Sequence, residues 1–176
     1  MYLEILILAE LAQRPAHGYE LKERIHRDLA GSVEINSNTL HPALRRFSTD
    51  GLVRSEEHHE PGRPTRQVYR LTEAGRRRLD TLLTDFEPAA ARRADEFWTR
   101  VAFFHLVNAD VRRRVLLARL DALDGLDKKL AELRGRTLGD VEEMASWPTQ
   151  AVDFRRHMTE VEREWVRAQL AEFGTR

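Results

Sequence analysis

Polar and basic side chains recur along one side of a short predicted helix in the first third of the chain. Asn38, His41 and Arg45 are spaced so that they share one face at 100° per residue, with Thr49 near the same line. Amide, imidazole and guanidinium groups can donate hydrogen bonds to base edges or to phosphate oxygens, and Arg46 flanks the row where a phosphate would run. The pattern predicts a nucleic-acid-binding helix, and a solvated polar face is the alternative interpretation.

A second basic feature joins two predicted strands, Leu52–Glu57 and Gln67–Leu71. The joining segment ends in Glu-Pro-Gly-Arg-Pro-Thr-Arg, which carries Arg63, Thr65 and Arg66 on a tip stiffened by two prolines. Because a stiff tip has little conformational entropy to lose, it suits cations that contact a minor groove or its phosphates. The two strands are therefore predicted to form a hairpin with a rigid basic tip, and the two-residue period places Tyr69 on one face of the returning strand and Arg70 on the other.

Two helices are predicted before the polar row. Apolar residues at nearly every position make Tyr2–Gln13 a helix that is buried nearly all round. Pro15 and Gly18 indicate a break, after which a second helix is expected from Tyr19 to about Ala30.

The polar row itself belongs to a third predicted helix that leads into the hairpin. Asn38 or Thr39 is its expected N-cap, because Pro42 is best tolerated in the first turn. Gly51 is expected to end this helix, and Thr72 is expected to cap a fourth helix after the hairpin. Three helices, a hairpin and a fourth helix are the order of a winged helix.

The residues of this segment resemble the signature of PadR-type transcriptional regulators. The resemblance covers about residues 3 to 79 and is carried by the motifs His17–Leu21, Ser37–Phe47, Asp50–Val53, Gly62–Pro64 and Tyr69–Arg76. It implies a homodimeric bacterial repressor that acts on a palindromic operator in double-stranded DNA, with its third helix in the major groove and its wing alongside. The contacts that it implies are Tyr19, Ser37, Asn38, Thr39, His41, Arg45, Arg46, Arg63, Thr65 and Arg66.

One position departs from the resemblance. The family usually has tyrosine where this chain has His41. Histidine can still donate to a phosphate or a base, and its charge changes near neutral pH. The departure therefore predicts DNA affinity that depends on pH.

The rest of the chain has no strand-like alternation and is predicted to be helical. One stretch is expected from about Ala89 to Val107, a helix capped by Asp110 is expected to reach Gly135, and a last helix is expected to begin at Thr149. The last two helices carry apolar residues at heptad spacing and are joined by a short link, which predicts an antiparallel hairpin. We therefore expect a winged-helix domain at 1–86 and a helical dimerisation domain at 87–176. The residues predicted to stabilise the dimer are Leu6, Leu116, Leu123, Leu126, Leu130, Met158 and Val161.

Most large aromatic residues fall in this helical half. Core and dimer packing is the simpler interpretation. From the resemblance, Phe97, Trp98 and Trp165 are the residues predicted to line a cavity for a flat aromatic effector.

Composition limits the other functions. The 176 residues carry 29 basic and 29 acidic side chains, but residues 38 to 78 hold nine arginines against five acids, a local net charge of +4. No cysteine is present, and neither a G-x-S-x-G motif nor a glycine-rich phosphate loop occurs. We therefore expect no enzyme, no cofactor and no metal site. No apolar run is long enough to cross a bilayer, so a cytoplasmic protein is expected.

Two rival functions remain open from the sequence. A winged-helix scaffold could use the same elements to bind protein without touching DNA. A ligand carrier with a vestigial winged domain is the third possibility. A steep loss of duplex affinity with rising salt separates a DNA binder from both.

Overall fold

The computed structural model describes residues 2–28, 35–58, 66–137 and 146–173, which form two compact units. The first comprises Met1–Asp85 with Trp98–Val107, and the second comprises Phe86–Phe97 with Asn108–Arg176. The segment Trp98–Val107, which we assigned to the second domain, thus lies with the first unit. Burial explains this difference, because Phe103 joins the apolar core of the first unit.

Between residues 2 and 85, the described part of the first unit contains four helices and three strands. They are α1 (Tyr2–Gln13), β1 (Ala16–His17), α2 (Gly18–Asp28), α3 (Ser37–Thr49), β2 (Val53–His58), β3 (Arg66–Leu71) and α4 (Glu73–Thr84). The mainly helical fold with a small antiparallel wing confirms the predicted winged-helix order.

Helix α1 is the centre of the first unit. All side chains from Ile5 to Leu11 are buried, which confirms the helix buried nearly all round. Burying each leucine or isoleucine contributes about 1.5 to 3 kcal/mol. Leu6, which we predicted at a dimer interface, is 0% exposed and belongs to the interior of its own unit. The prediction failed because an all-apolar helix can be covered entirely by its own chain.

The sheet has the antiparallel order β1-β3-β2. Val53 pairs with Leu71 and His58 with Arg66, while Ala16 of the short β1 pairs with Tyr69. The alternation predicted for β3 is present, because Tyr69 is buried and its neighbour Arg70 is exposed. Strand β1 was not predicted, because a two-residue strand is too short to show a period.

Helix α3 begins earlier than predicted. Its N-cap is Asn36, whose Oδ1 accepts hydrogen bonds from the backbone N and the Oγ1 of Thr39, both at 2.9 Å. The prediction of Asn38 or Thr39 as cap is wrong, since both lie inside the helix. Pro42 is consequently interior, where it cannot donate to the carbonyl of Asn38.

Helix α4 is capped by Thr72, as predicted. The Oγ1 of Thr72 accepts from the backbone N of Gly75 at 3.0 Å and donates to the carbonyls of Gly51 and Leu52 at 2.7 and 3.0 Å. A Cβ on Gly75 would lie 2.2 Å from the carbonyl oxygen of Leu52, so the glycine permits a very close approach. The start of α4 is thereby fixed to the base of the wing.

The described residues after α4 are helical, as predicted, but the elements are divided differently. Helices α5 (Pro88–Ala91), α6 (Ala94–Ala102) and a 3-10 turn (Phe104–Leu106) replace the single predicted stretch, and the two long helices are α7 (Ala109–Thr137) and α8 (Ser146–Glu172). α6 itself continues into the first unit at Trp98.

The caps predicted for the two long helices are wrong. Asn108, not Asp110, caps α7, since its Oδ1 accepts from the backbone N of Val111 at 3.0 Å. α8 starts at Ser146, before the predicted cap Thr149, because Pro148 is tolerated in a first turn.

Helices α7 and α8 pack against each other in an antiparallel manner. Three ion pairs join the two helices, and the residue numbers increase along α7 while those of the partners on α8 decrease, as an antiparallel pair requires. They are Arg119–Glu162, Asp127–Arg156 and Arg134–Asp153. The heptad leucines Leu116 and Leu123, predicted at a dimer interface, are each 1% exposed and form the interior of this unit. Leu126 and Leu130 are half-buried. α8 contributes Val152, Thr159 and Val166 to the same interior.

The apolar row predicted on α8 faces away from this interior. Phe154, Met158 and Val161 are 65%, 47% and 47% exposed. The predicted apolar row is therefore present, but other residues of α8 at heptad spacing, Val152, Thr159 and Val166, pack against α7. In the described ranges, none of the helices combines the length and apolar character that crossing a bilayer requires.

Candidate nucleic-acid interface

The exposed side of α3 carries the predicted polar row. Leu40, Leu44 and Phe47 are buried on the inner side of the helix, and this anchors it to the first unit. The helical period then directs the polar positions outward. The predicted DNA contacts on α3 are all exposed: Ser37, Asn38, Thr39, His41, Arg45 and Arg46.

The two arginines of α3 are open to an external anion. Neither Arg45 nor Arg46 forms an ion pair with a carboxylate among the residues that the structure describes, and the Arg46 guanidinium lies 5.1 Å from the centroid of the Phe47 ring. On the wing, by contrast, Glu56 pairs with Arg54 at 2.8 Å and with Arg70 at 3.1 Å. Positive charge is therefore more available on α3 than on the described wing strands.

Two concavities flank His41. The first, of about 540 Å³, lies between the start of α2, the start of α3 and β3. The second, of about 500 Å³, lies between α3 and the wing strands. His41, Gln67 and Tyr69 line both, so the row on α3 and one face of the wing share one surface.

Contacts at the centre of this surface hold His41 in position. A Cβ on Gly18 would lie 3.1 Å from Cε1 of His41, so the imidazole packs closely on the first residue of α2. Beside it, the Tyr69 hydroxyl donates to Oε1 of Gln67 at 3.0 Å. Burial raises the pKa of Tyr69, and the nearby Arg45 opposes that rise. Tyr69 thus contributes a neutral hydroxyl group to the surface.

The start of α2 is held by a buried arginine. Arg24 donates to the carbonyls of Arg14 and Pro15 at 3.3 and 3.1 Å and also bonds the Glu20 carboxylate. The hydrogen bond from Arg24 lowers the pKa of Glu20. A four-residue spacing is typical of an exposed ion pair on a helix, whereas the Arg24 side chain is only 4% exposed. The four-residue spacing was the available signal, but it contains no information about burial.

Tyr19 and the wing tip complete the predicted set. Tyr19, the second residue of α2, is 76% exposed beside the first concavity. Arg63 and Thr65 lie outside the described residues. The backbone of Arg66 pairs with His58 at the end of the hairpin, and its side chain is not described.

The residues predicted for an effector are not gathered in one described cavity. Phe97 is fully buried, with Trp165 edge-on at 6.5 Å and the Arg119 guanidinium 5.2 Å from its ring centroid. Arg119 also bonds Glu162 at 2.7 and 2.9 Å and the carbonyl of Ala91 at 2.7 Å. Phe97 is therefore a core residue of the second unit. Trp98 belongs to the first unit and is 41% exposed.

Comparisons with known proteins agree with the geometry of the first unit. The transcriptional regulator PadR-like family matches residues 7–81. The transcriptional regulator Rv3488 of Mycobacterium tuberculosis (strain ATCC 25618 / H37Rv) is 38% identical over 73 residues, which are 42% of this chain and 64% of that protein. The chain thus spans less than two thirds of the length of this relative.

Two solved structures of regulators are among those to which this chain is similar. A transcriptional regulator from Clostridium thermocellum is similar over 46% of this chain and 77% of its own, with 26% identity and a TM-score of 0.43. Bacillus subtilis PadR in complex with operator DNA is similar over 97% of both chains, with 16% identity and a TM-score of 0.48. Residues 7–81 of this chain are thus similar to the PadR-like family of transcriptional regulators.

Proposed function

We propose that this protein is a sequence-specific DNA-binding regulator of transcription that inserts α3 into the major groove. The observation that carries the proposal is the row of Asn38, His41 and Arg45, whose side chains are all exposed on α3. An asparagine can bond adenine through N6 and N7, and an arginine can bond guanine through O6 and N7. Because α3 is anchored by buried leucines, it can present these groups as a rigid helix.

Contacts to the DNA backbone would orient the helix. Three side chains border the row and can donate hydrogen bonds to phosphate oxygens: Arg46 on α3, and Tyr19 and Lys22 on α2. The wing residues Arg63, Thr65 and Arg66 are proposed to contact the adjacent minor groove. The local charge of +4 between residues 38 and 78 supports such an orientation while the zero net charge keeps nonspecific attraction modest.

We further propose that two copies associate through the exposed row of α8. Phe154, Met158 and Val161 form an apolar strip on the side of α8 that α7 does not cover. Fully burying side chains of this kind contributes roughly 1.5 to 3 kcal/mol each, so a strip covered by a second copy supports a stable pair. A pair presents α3 twice, which suits a palindromic operator with half-sites about one helical turn apart.

We also propose that the protein is a repressor that responds to a small aromatic molecule. Trp98 is the candidate contact, because its indole is partly exposed. Such a ligand would act by favouring a dimer geometry in which the two α3 helices no longer match their half-sites.

Selection of bound sequences from random duplex DNA tests the proposal. A DNA-binding regulator returns one enriched, symmetric sequence, and its affinity for that sequence falls steeply as salt rises. Arg45→Ala is expected to weaken binding by about 1 to 3 kcal/mol and to relax specificity at one base position. Arg92→Ala is the matched control, because it removes an exposed arginine from the second unit. No enrichment and no salt dependence would instead favour the protein-binding scaffold.

A further inference from the structure

The first concavity beside α3 brings two imidazoles and an ammonium group together from three elements. His17 comes from β1, Lys22 from α2 and His41 from α3, and all three line the same space of about 540 Å³. Residues so far apart in the sequence meet there because β1 pairs with β3 while α2 packs against α3. The cluster is therefore a product of the fold.

Local contacts determine how the two imidazoles are held. Nδ1 of His17 lies 3.3 Å from the carbonyl oxygen of Gln67. A carbonyl only accepts, so Nδ1 carries the hydrogen and Nε2 is left for a second proton or a ligand. The His41 ring is held against Gly18, where a Cβ would come within 3.1 Å of its Cε1. Glycine at position 18 thus lets His41 approach the start of α2.

The charges that face these rings favour an oxyanion. Lys22 faces the first concavity, and Arg45 faces His41 from the second. The carboxylate in the lining belongs to Glu20, which is already bonded to Arg24 and lies 3.7 Å from Arg14. Tyr19 and Tyr69 add neutral hydroxyl groups. An anion entering here meets cationic groups and a carboxylate whose charge is already compensated.

We propose that this concavity binds one backbone phosphate of the DNA duplex and that His17 and His41 pair with it in their protonated form. The proposal rests on the proposed DNA-binding function and adds a position and a proton requirement to it. Binding of the duplex is then coupled to proton uptake, because an anion nearby favours the charged imidazole. Affinity rises as the pH falls from 8 to 6.

The salt dependence distinguishes a phosphate from a base. Each additional phosphate that a protein neutralises steepens the fall of log affinity with log salt by about 0.9. Protonation that creates a phosphate contact therefore steepens this slope at pH 6 relative to pH 8. A histidine that reads a base edge changes affinity with pH but leaves the slope as it was.

The experiment is fluorescence anisotropy of a labelled duplex carrying the selected sequence, titrated over a range of salt at pH 6 and pH 8. The wild-type protein is compared with His17→Asn, His41→Gln and the double variant. Asparagine keeps a donor for the Gln67 carbonyl, which protects the fold at position 17. His157→Gln on the exposed surface of α8 is the matched control. Melting temperatures verify that each variant is folded.

We expect the wild-type affinity to rise by about tenfold per histidine between pH 8 and pH 6, with a steeper salt slope at pH 6. The double variant should lose both effects, and His157→Gln should retain both. Wild-type binding that is independent of pH, or a slope that does not change with pH, would overturn the phosphate site alone. Failure to bind any duplex at either pH would overturn the proposed function and the site together.

Discussion

Two glycines inside helices are predicted to respond to the same substitution with opposite signs. Gly75 lies in α4 and Gly125 in α7. Helix propensity alone favours alanine over glycine by about 1 kcal/mol at either position. The surroundings differ, because a Cβ at position 75 would lie 2.2 Å from the Leu52 carbonyl oxygen and 2.6 Å from Cδ1 of Leu71, whereas nothing lies within 4 Å at position 125.

The expected magnitudes follow from these distances. The nearest obstacle at position 75 is a backbone atom that belongs to the base of the wing, so relief requires moving α4 against β2. Overpacking of this kind costs up to about 3 kcal/mol, which outweighs the gain in propensity and leaves a net loss of about 2 kcal/mol. Gly125→Ala should gain about 0.5 to 1 kcal/mol.

Thermal and urea unfolding of the two variants checks the reasoning. For a chain of this size, Gly75→Ala should lower the melting temperature by about 4 to 8 °C and Gly125→Ala should raise it by about 1 to 4 °C. Gly75→Ala should also weaken DNA binding, because Thr72 and Leu52 connect α4 to the wing. A Gly75→Ala protein as stable as the wild type would refute the close approach.

Three further predictions concern ion pairs and the apolar row of α8. Arg119→Met should destabilise the second unit by about 3 to 5 kcal/mol in urea unfolding, because it leaves the Glu162 carboxylate without its buried partner. Arg134→Ala is the control: it breaks an exposed pair and should change the urea midpoint little. Arg24 holds the pKa of Glu20 below its ordinary value, so this pair stabilises the fold above that value and the stabilisation is lost as the pH falls through the folded pKa. Glu20→Gln should therefore flatten the decline of the urea midpoint from about pH 5 to pH 3, and a decline identical to that of the wild type would exclude this pair as a source. Met158→Lys combined with Val161→Lys should yield monomers in light scattering, whereas Leu117→Lys on exposed α7 surface should not; a dimeric double variant would remove the α8 row from the interface.

Short-range signals predicted much of the first unit. The apolar character of α1, the Thr72 cap and the alternation at Tyr69 and Arg70 depend on neighbouring residues alone, and each is found in the structure. The exposed row on α3 belongs to the same class, because one buried face determines where the opposite face points. The α3 cap was misplaced, since several residues near it can cap a helix and only the geometry selects Asn36.

Heptad spacing was less informative in the second unit. The heptad spacing of Leu116 and Leu123 is the same whether they face α8 of the same chain or a second chain, because either partner can cover apolar surface. The structure assigns them to the interior and leaves Phe154, Met158 and Val161 outside. Phe97 was misinterpreted for the same reason, as an aromatic ring in a core and one in a cavity have the same sequence signature.

By itself, the sequence indicated the resemblance to PadR-type regulators, the winged-helix order and the polar face of α3, since these depend on motifs and periods that are local in the chain. Only the tertiary structure decided which apolar stripe is interior, that Arg24 is a buried clamp, and that His17, Lys22 and His41 line one concavity. The choice of stripe depends on the packing of α7 against α8, and the concavity depends on the pairing of β1 with β3 and on the packing of α2 against α3. Contacts between residues distant in sequence follow from how surfaces fit together, which no local pattern encodes.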